Sequence, residues 1–83
     1  MIIKNAETLS ICSDQQLFTL MKDIEEFRTV GYIGTSFLRS IHDNFCIVYS
    51  DKLSIDVTVN WIEREAGHRW FKNVKNEIGD HNA

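Results

Sequence analysis

The chain has no proline, four glycines and two cysteines, and its bases are outnumbered by its acids. No repeat, low-complexity tract or linker interrupts it, so its 83 residues read as a single domain, 1–83. Cys12 and Cys46 are too few and too far apart in sequence for the disulfide framework of a small secreted fold. Met1-Ile2-Ile3 runs straight into Lys4, Asn5 and Glu7, which leaves no apolar run of signal length. Two reduced thiols and a cytoplasmic location are therefore expected. No window is apolar enough to span a membrane. Nine Lys and Arg against twelve Asp and Glu give a net charge of −3. That balance offers no electrostatic attraction to phosphate backbones and suits, if anything, a basic protein partner.

Enough apolar material is present for one modest core. Residues are 43% apolar and 25% charged, in the range of ordinary globular domains. A folded chain of this mass exposes roughly 5,100 Å². The clearest element spans residues 14–30. Ser13 can cap it, Gln16 completes a capping box, and Asp14 places negative charge in the first turn. Leu17, Leu20, Met21, Ile24, Phe27 and Val30 recur at helical steps, and Gly31 supplies a stop. Asp23, Glu25 and Glu26 lie off the apolar stripe.

Residues 35–60 read as an antiparallel meander of Ser36–Ile41, Phe45–Ser50 and Ser54–Asn60, joined by His42-Asp43-Asn44 and Asp51-Lys52-Leu53. With Ile41 opposite Phe45 and Ser50 opposite Ser54, one face collects Phe37, Arg39, Ile41, Phe45, Ile47, Tyr49, Ile55, Val57 and Val59. All but Arg39 are apolar or aromatic, and Arg39 would sit at the rim with its head in water. The other face collects Ser36, Leu38, Ser40, Cys46, Val48, Ser50, Ser54, Asp56 and Thr58. A short strand near Ile2–Ile3 is a further possibility.

The stretch from Trp61 to Ile78 fits a helix, with Ile62, Ala66, Trp70, Phe71, Val74 and Ile78 on one half and Arg64, Glu65, His68, Arg69, Lys72, Lys75 and Asn76 on the other. Asn60 and Glu63 could cap it. A strand through Arg64 with a turn at Glu65-Ala66-Gly67 competes, since Gly67 costs about 1 kcal/mol inside a helix. Asp80–Ala83 are expected to fray. The expected fold class is thus α+β: helix, three-stranded antiparallel meander, C-terminal helix, with both helices on one sheet face.

Such a fold leaves the second sheet face open, with Leu38, Val48 and Cys46 at its centre and Ser, Thr and Asp around them. An apolar centre in a polar rim suits a partner surface. The expected partner-binding residues are accordingly Leu38, Cys46, Val48, Asp56 and Thr58, with Asp23, Glu25 and Glu26 on the first helix. His42, His68, His81, Cys12 and Cys46 show no metal-ligand spacing, so neither metal nor cofactor is expected. No strained nucleophile turn appears, so an enzyme is not expected either. Gly31-Tyr32-Ile33-Gly34 spells a GxxG, but without a basic residue in it, and reads as a helix stop plus a turn.

The order helix–three strands–helix is similar to that of double-stranded RNA-binding domains, over most of the chain but in topology alone. That resemblance implies phosphate contacts from a lysine cluster opening the second helix. Here Arg64 stands between Glu63 and Glu65, and only His68, Arg69, Lys72 and Lys75 make a basic stripe. The functional expectation is therefore a small non-enzymatic protein-binding module that occludes a partner surface, of inhibitor, immunity, antitoxin or anti-defence type. Nucleic-acid binding through the basic stripe and a structural homodimer are the alternatives.

Overall fold

The computed structural model describes residues 3–81, with side chains to Ile78. A short 3-10 helix, Ala6–Ile11, is followed by three α-helices: α1, Asp14–Val30; α2, Phe37–Val48; and α3, Ile55–His81. No strand occurs among the described residues, so the expected α+β class, its meander and its two sheet faces are all replaced by a helical bundle. The strand considered at Ile2–Ile3 is absent at Ile3, which lies in irregular chain, and Ile2 is outside the described residues. Of the fraying expected at Asp80–Ala83, Asp80 and His81 show none, being the last residues of α3, and Asn82 and Ala83 lie outside the described residues.

Helix α1 forms where its sequence places it. Ser13 Oγ accepts from the Gln16 N–H at 3.0 Å, and the Gln16 side chain accepts from the Ser13 N–H at 2.9 Å. Gly31 ends it in the left-handed region, at φ 93°, a conformation that costs a glycine nothing. Its buried line is Leu17, Leu20 and Ile24.

The misreading of residues 35–60 has a specific cause. Positions i and i+4 share a face in both a strand and a helix, and only i+2 separates the two. Phe37 and Ile41, Phe45 and Tyr49, and Ile55 and Val59 are such shared pairs. Their middle members decide: Ile47 is 81% exposed, Arg39 is exposed and Val57 is half-buried. The core line of α2 is Leu38, Ile41 and Phe45, and that of α3 begins Ile55, Val59, Ile62 and Ala66, both at helical spacing. The period-two alternation that suggested strands is overridden by this packing. Ser36, read as a strand start, is the N-cap of α2, its Oγ accepting from the Arg39 N–H at 3.1 Å. Ser54 accepts from the Asp56 N–H at 3.2 Å at the mouth of α3. The His42-Asp43-Asn44 link lies inside α2, and Asp51-Lys52-Leu53 is a real turn. Residues 61–79 are continuous helix, which removes the strand-turn alternative; Gly67 is accommodated within it.

The core joins Ile3, Leu9 and Cys12 from the N-terminal segment to the three helices. Phe45, fully buried, meets Trp61 and Tyr49 edge-on, with ring centroids 5.5 and 6.0 Å away. Two ties hold the N-terminal segment against α2: the Ala6 N–H donates to Tyr49 Oη at 2.8 Å, and Asn44 Nδ2 donates to the Ile3 carbonyl at 3.1 Å. Arg69 makes the third and largest tie. It donates to the carbonyls of Leu9 at 3.1 Å and Cys12 at 2.8 Å, to Asp14 at 2.9 Å and to Glu65 at 2.7 Å. Burial works against its charge, but the bonds to Glu65 and Asp14 outweigh it and hold the guanidinium protonated.

Two stability results are expected. Arg69→Met strands the Cys12 carbonyl, leaves the Leu9 carbonyl only the Cys12 N–H at 3.4 Å, and costs about 2–3 kcal/mol, read as a lower urea midpoint at unchanged slope; an unshifted midpoint refutes the clamp. The bidentate pair of Arg28 with Glu63, at 2.8 Å for both bonds, holds the Glu63 carboxyl below its usual range through the hydrogen bond. Because the folded value is depressed, the stabilisation is present above the unfolded value of about 4.3 and is lost as pH falls through the folded one. Glu63→Gln is therefore less stable than wild type at neutral pH, and the gap closes below about pH 4. A gap that persists in acid argues against the pair as its cause.

Candidate protein-binding surface

Helix α3 is longer than the bundle that carries it. Its 27 residues reach about 40 Å at 1.5 Å each, and the molecule measures 49 × 27 × 20 Å. Among the described residues, Ala66 is the last of α3 packed on the core, and Arg69 the last tied to other elements. From Trp70 to Ile78 the described residues are exposed, apart from half-buried Val74. The exposed surface of 5977 Å² exceeds the roughly 5,100 Å² expected for this mass, as a projecting arm requires.

This arm is apolar along one line. Ile62, Ala66, Trp70, Val74 and Ile78 follow at steps of four, and each such step turns about 40° around the helix. The row starts against the core at Ile62 and winds away from it. It reaches about 80° from Ile62 at exposed Trp70, about 120° at half-buried Val74 and about 160° at exposed Ile78, with exposed Phe71 beside them. Trp70 is 65% exposed, Phe71 59% and Ile78 54%. Arg64, His68, Lys72 and Lys75 form a basic strip along one edge of this stripe, and Glu77 stands on the other edge. Isolated exposed apolar residues are normal, but Trp70, Phe71 and Ile78 grouped around Val74 on a free helix form a patch.

The partner-binding residues expected from the sequence do not share a surface, because the sheet face that would collect them does not exist. Leu38 and Thr58 are fully buried. Asp56 is exposed in the first turn of α3, and Val48 is exposed at the end of α2 beside Ile47, Lys4 and Asn44, around a hollow of about 230 Å³. Asp23 is a structural group: its Oδ2 accepts from the Leu38 N–H at 3.1 Å and satisfies the N-terminus of α2. It also walls a shallow groove of about 420 Å³ at the end of α1, together with Glu26, Phe27 and Tyr32. Glu25 and Glu26 remain exposed on the outer face of α1, near exposed Phe18 and Val30. The double-stranded RNA-binding resemblance fails with the strands it was based on.

Cys46 sits in a different constellation from the one expected. On a helix it lies one turn from His42, and its Sγ is 3.6 Å from His42 Nε2. His42 Nδ1 lies 2.8 Å from the buried Thr58 Oγ1, which fixes the ring between α2 and α3. Thiol, imidazole and hydroxyl thus form a chain that the strand reading separates. The signal was the four-residue spacing of His42 and Cys46. Among the described residues no three His, Cys, Asp or Glu side chains converge in the manner of a metal site. No described helix is long and apolar enough to cross a membrane.

The two thiols should differ sharply in reactivity. Cys12 is buried in the core, and desolvation pushes its thiol up despite neighbouring Arg69. Cys46 is half-exposed beside an imidazole. Iodoacetamide at neutral pH should label Cys46 at least about tenfold faster than Cys12 in the folded chain, read by peptide mass mapping; equal labelling refutes the assignment. Comparison of the whole chain with known protein families, with curated proteins and with solved structures found no match.

Proposed function

We infer that this chain is a non-enzymatic protein-binding module and that its contact surface is the free half of α3. The observation that carries the reading is the exposed patch of Trp70, Phe71 and Ile78 around half-buried Val74 on a helix that has left its own core. Aromatic side chains are enriched in interface centres, and Trp heads the residues that dominate binding energy. An amphipathic helix presented this way matches helix-in-groove recognition, in which anchors recur at three- and four-residue steps. A module of this kind acts by occupying a surface of its partner, the mode of small inhibitors and immunity-type proteins. Glu25 and Glu26 on α1 add an acidic surface suited to a basic region of such a partner.

One observation favours a second reading. Arg64, His68, Lys72 and Lys75 fall on one strip of α3, as a phosphate-gripping helix requires. The net charge of −3 and the apolar stripe beside the strip weigh against it.

The test is retention from native cell extract on immobilised wild-type chain against a Trp70→Ser, Val74→Asp variant whose helicity is confirmed by circular dichroism. Loss of two anchors should weaken retention of the bound protein by at least about thirtyfold. Undiminished retention rejects the arm. Nuclease-sensitive retention with a steep salt dependence supports the second reading instead.

A further inference from the structure

Resting on that reading of the arm, we propose that the occupant of the α3 stripe is a second copy of this chain, paired in parallel about a two-fold axis running along the two arms. Three features lead there.

The first is spacing. Gly67, Phe71, Val74 and Ile78 alternate at four, three and four residues, the seam of a left-handed helix pair, with Trp70 at its edge. Gly67 has nothing within 4 Å of where a Cβ would stand, so the second helix can approach closely at the base of the arm. The seam is turned about 140° from the core-facing line of Ile62, so the bundles lie outside the pair and do not obstruct it.

The second is area. With Trp70 65%, Phe71 59% and Ile78 54% exposed, the stripe offers about 400 Å² of apolar surface per copy. Two copies, with the stems of their flanking Lys and Glu residues, bury about 1,200 Å², the lower bound for a specific association. Interfaces at that bound belong with weak, transient associations, so the pair is reversible.

The third is charge, and it fixes the direction. His68 and Lys75 line one side of the seam, Trp70 and Glu77 the other. Parallel helices bring opposite sides together, so Lys75 of each copy lies against Trp70 of the other, the ring that best holds a cation. Antiparallel helices bring like sides together, which sets Lys75 against His68 and leaves the Trp70 ring facing Glu77 instead of a cation. The acidic outer face of α1 stays clear of the seam and remains available to a further partner.

The experiment is light scattering on full-length chain from about 5 to 500 µM, the range over which a weak pair comes apart. The mass should rise with concentration from 9.7 kDa towards twice that value. The Trp70→Ser, Val74→Asp variant, helical by circular dichroism, should remain monomeric throughout. Direction is read in a Cys46→Ser background: Phe71→Cys and Ile78→Cys should each form a disulfide with themselves on mild oxidation, because a parallel pair sets every residue against its own copy. A wild-type chain that is monomeric at the highest concentration overturns the proposal, and so does a variant that still dimerises. Disulfides that form only when the two cysteine variants are mixed overturn the parallel arrangement. A monomeric wild type that still loses its extract partner on stripe substitution rejects the second copy while leaving the protein-binding reading of the arm in place. A dimer whose stripe variants keep that partner rejects the reading of the arm as the partner surface and retains the self-pairing.

Discussion

One guanidinium holds the architecture in register. The carbonyls at the end of the 3-10 helix have no onward helix to accept from, and the chain must turn at Cys12-Ser13 before α1 begins. Arg69 reaches both places from α3, taking the Leu9 and Cys12 carbonyls and the Asp14 carboxylate while Glu65, one turn back, aligns it. An arginine fork offers five donors in a fixed plane, which a lysine could not match at so many acceptors. Through this one side chain, the segment that lays Ile3, Leu9 and Cys12 over the core is fastened to the longest helix. The same residue marks where α3 ceases to belong to the bundle.

The bundle end and the arm of α3 make different use of one sequence rule. A row of residues four apart drifts around a straight helix, and a core follows it only for as long as its neighbours can wrap with it. Here α1 and α2 are 17 and 12 residues against the 27 of α3. The row outlasts them, and its later members come out on the far side. The apolar arm is therefore a product of unequal helix lengths as much as of composition.

Sequence reading recovered α1 to its end residues, because Ser13, Gln16 and Gly31 punctuate an unambiguous period. It failed over 35–60, where Phe37/Ile41, Phe45/Tyr49 and Ile55/Val59 satisfy either period and only the outward placement of Ile47 and Arg39 separates them. An exposed isoleucine is not foreseeable from pattern, since pattern reading assumes that large apolar residues point inward. The binding surface suffered twice. Residues assigned to an open sheet face, Leu38 and Thr58 among them, went to the interior, whereas Trp70, Phe71, Val74 and Ile78 were assigned to a core-facing half that runs past the core. Their four-residue spacing was visible. What was not visible was where the neighbouring helices stop.

The two tryptophans occupy opposite environments. Trp61 is lodged between Phe45 and Tyr49, at centroid distances of 5.5 and 5.0 Å, while Trp70 stands in water on the arm. Indole emission shifts with the polarity around it, so the chain carries two natural optical probes: one for the integrity of the bundle, the other for whatever covers the tip of its longest helix.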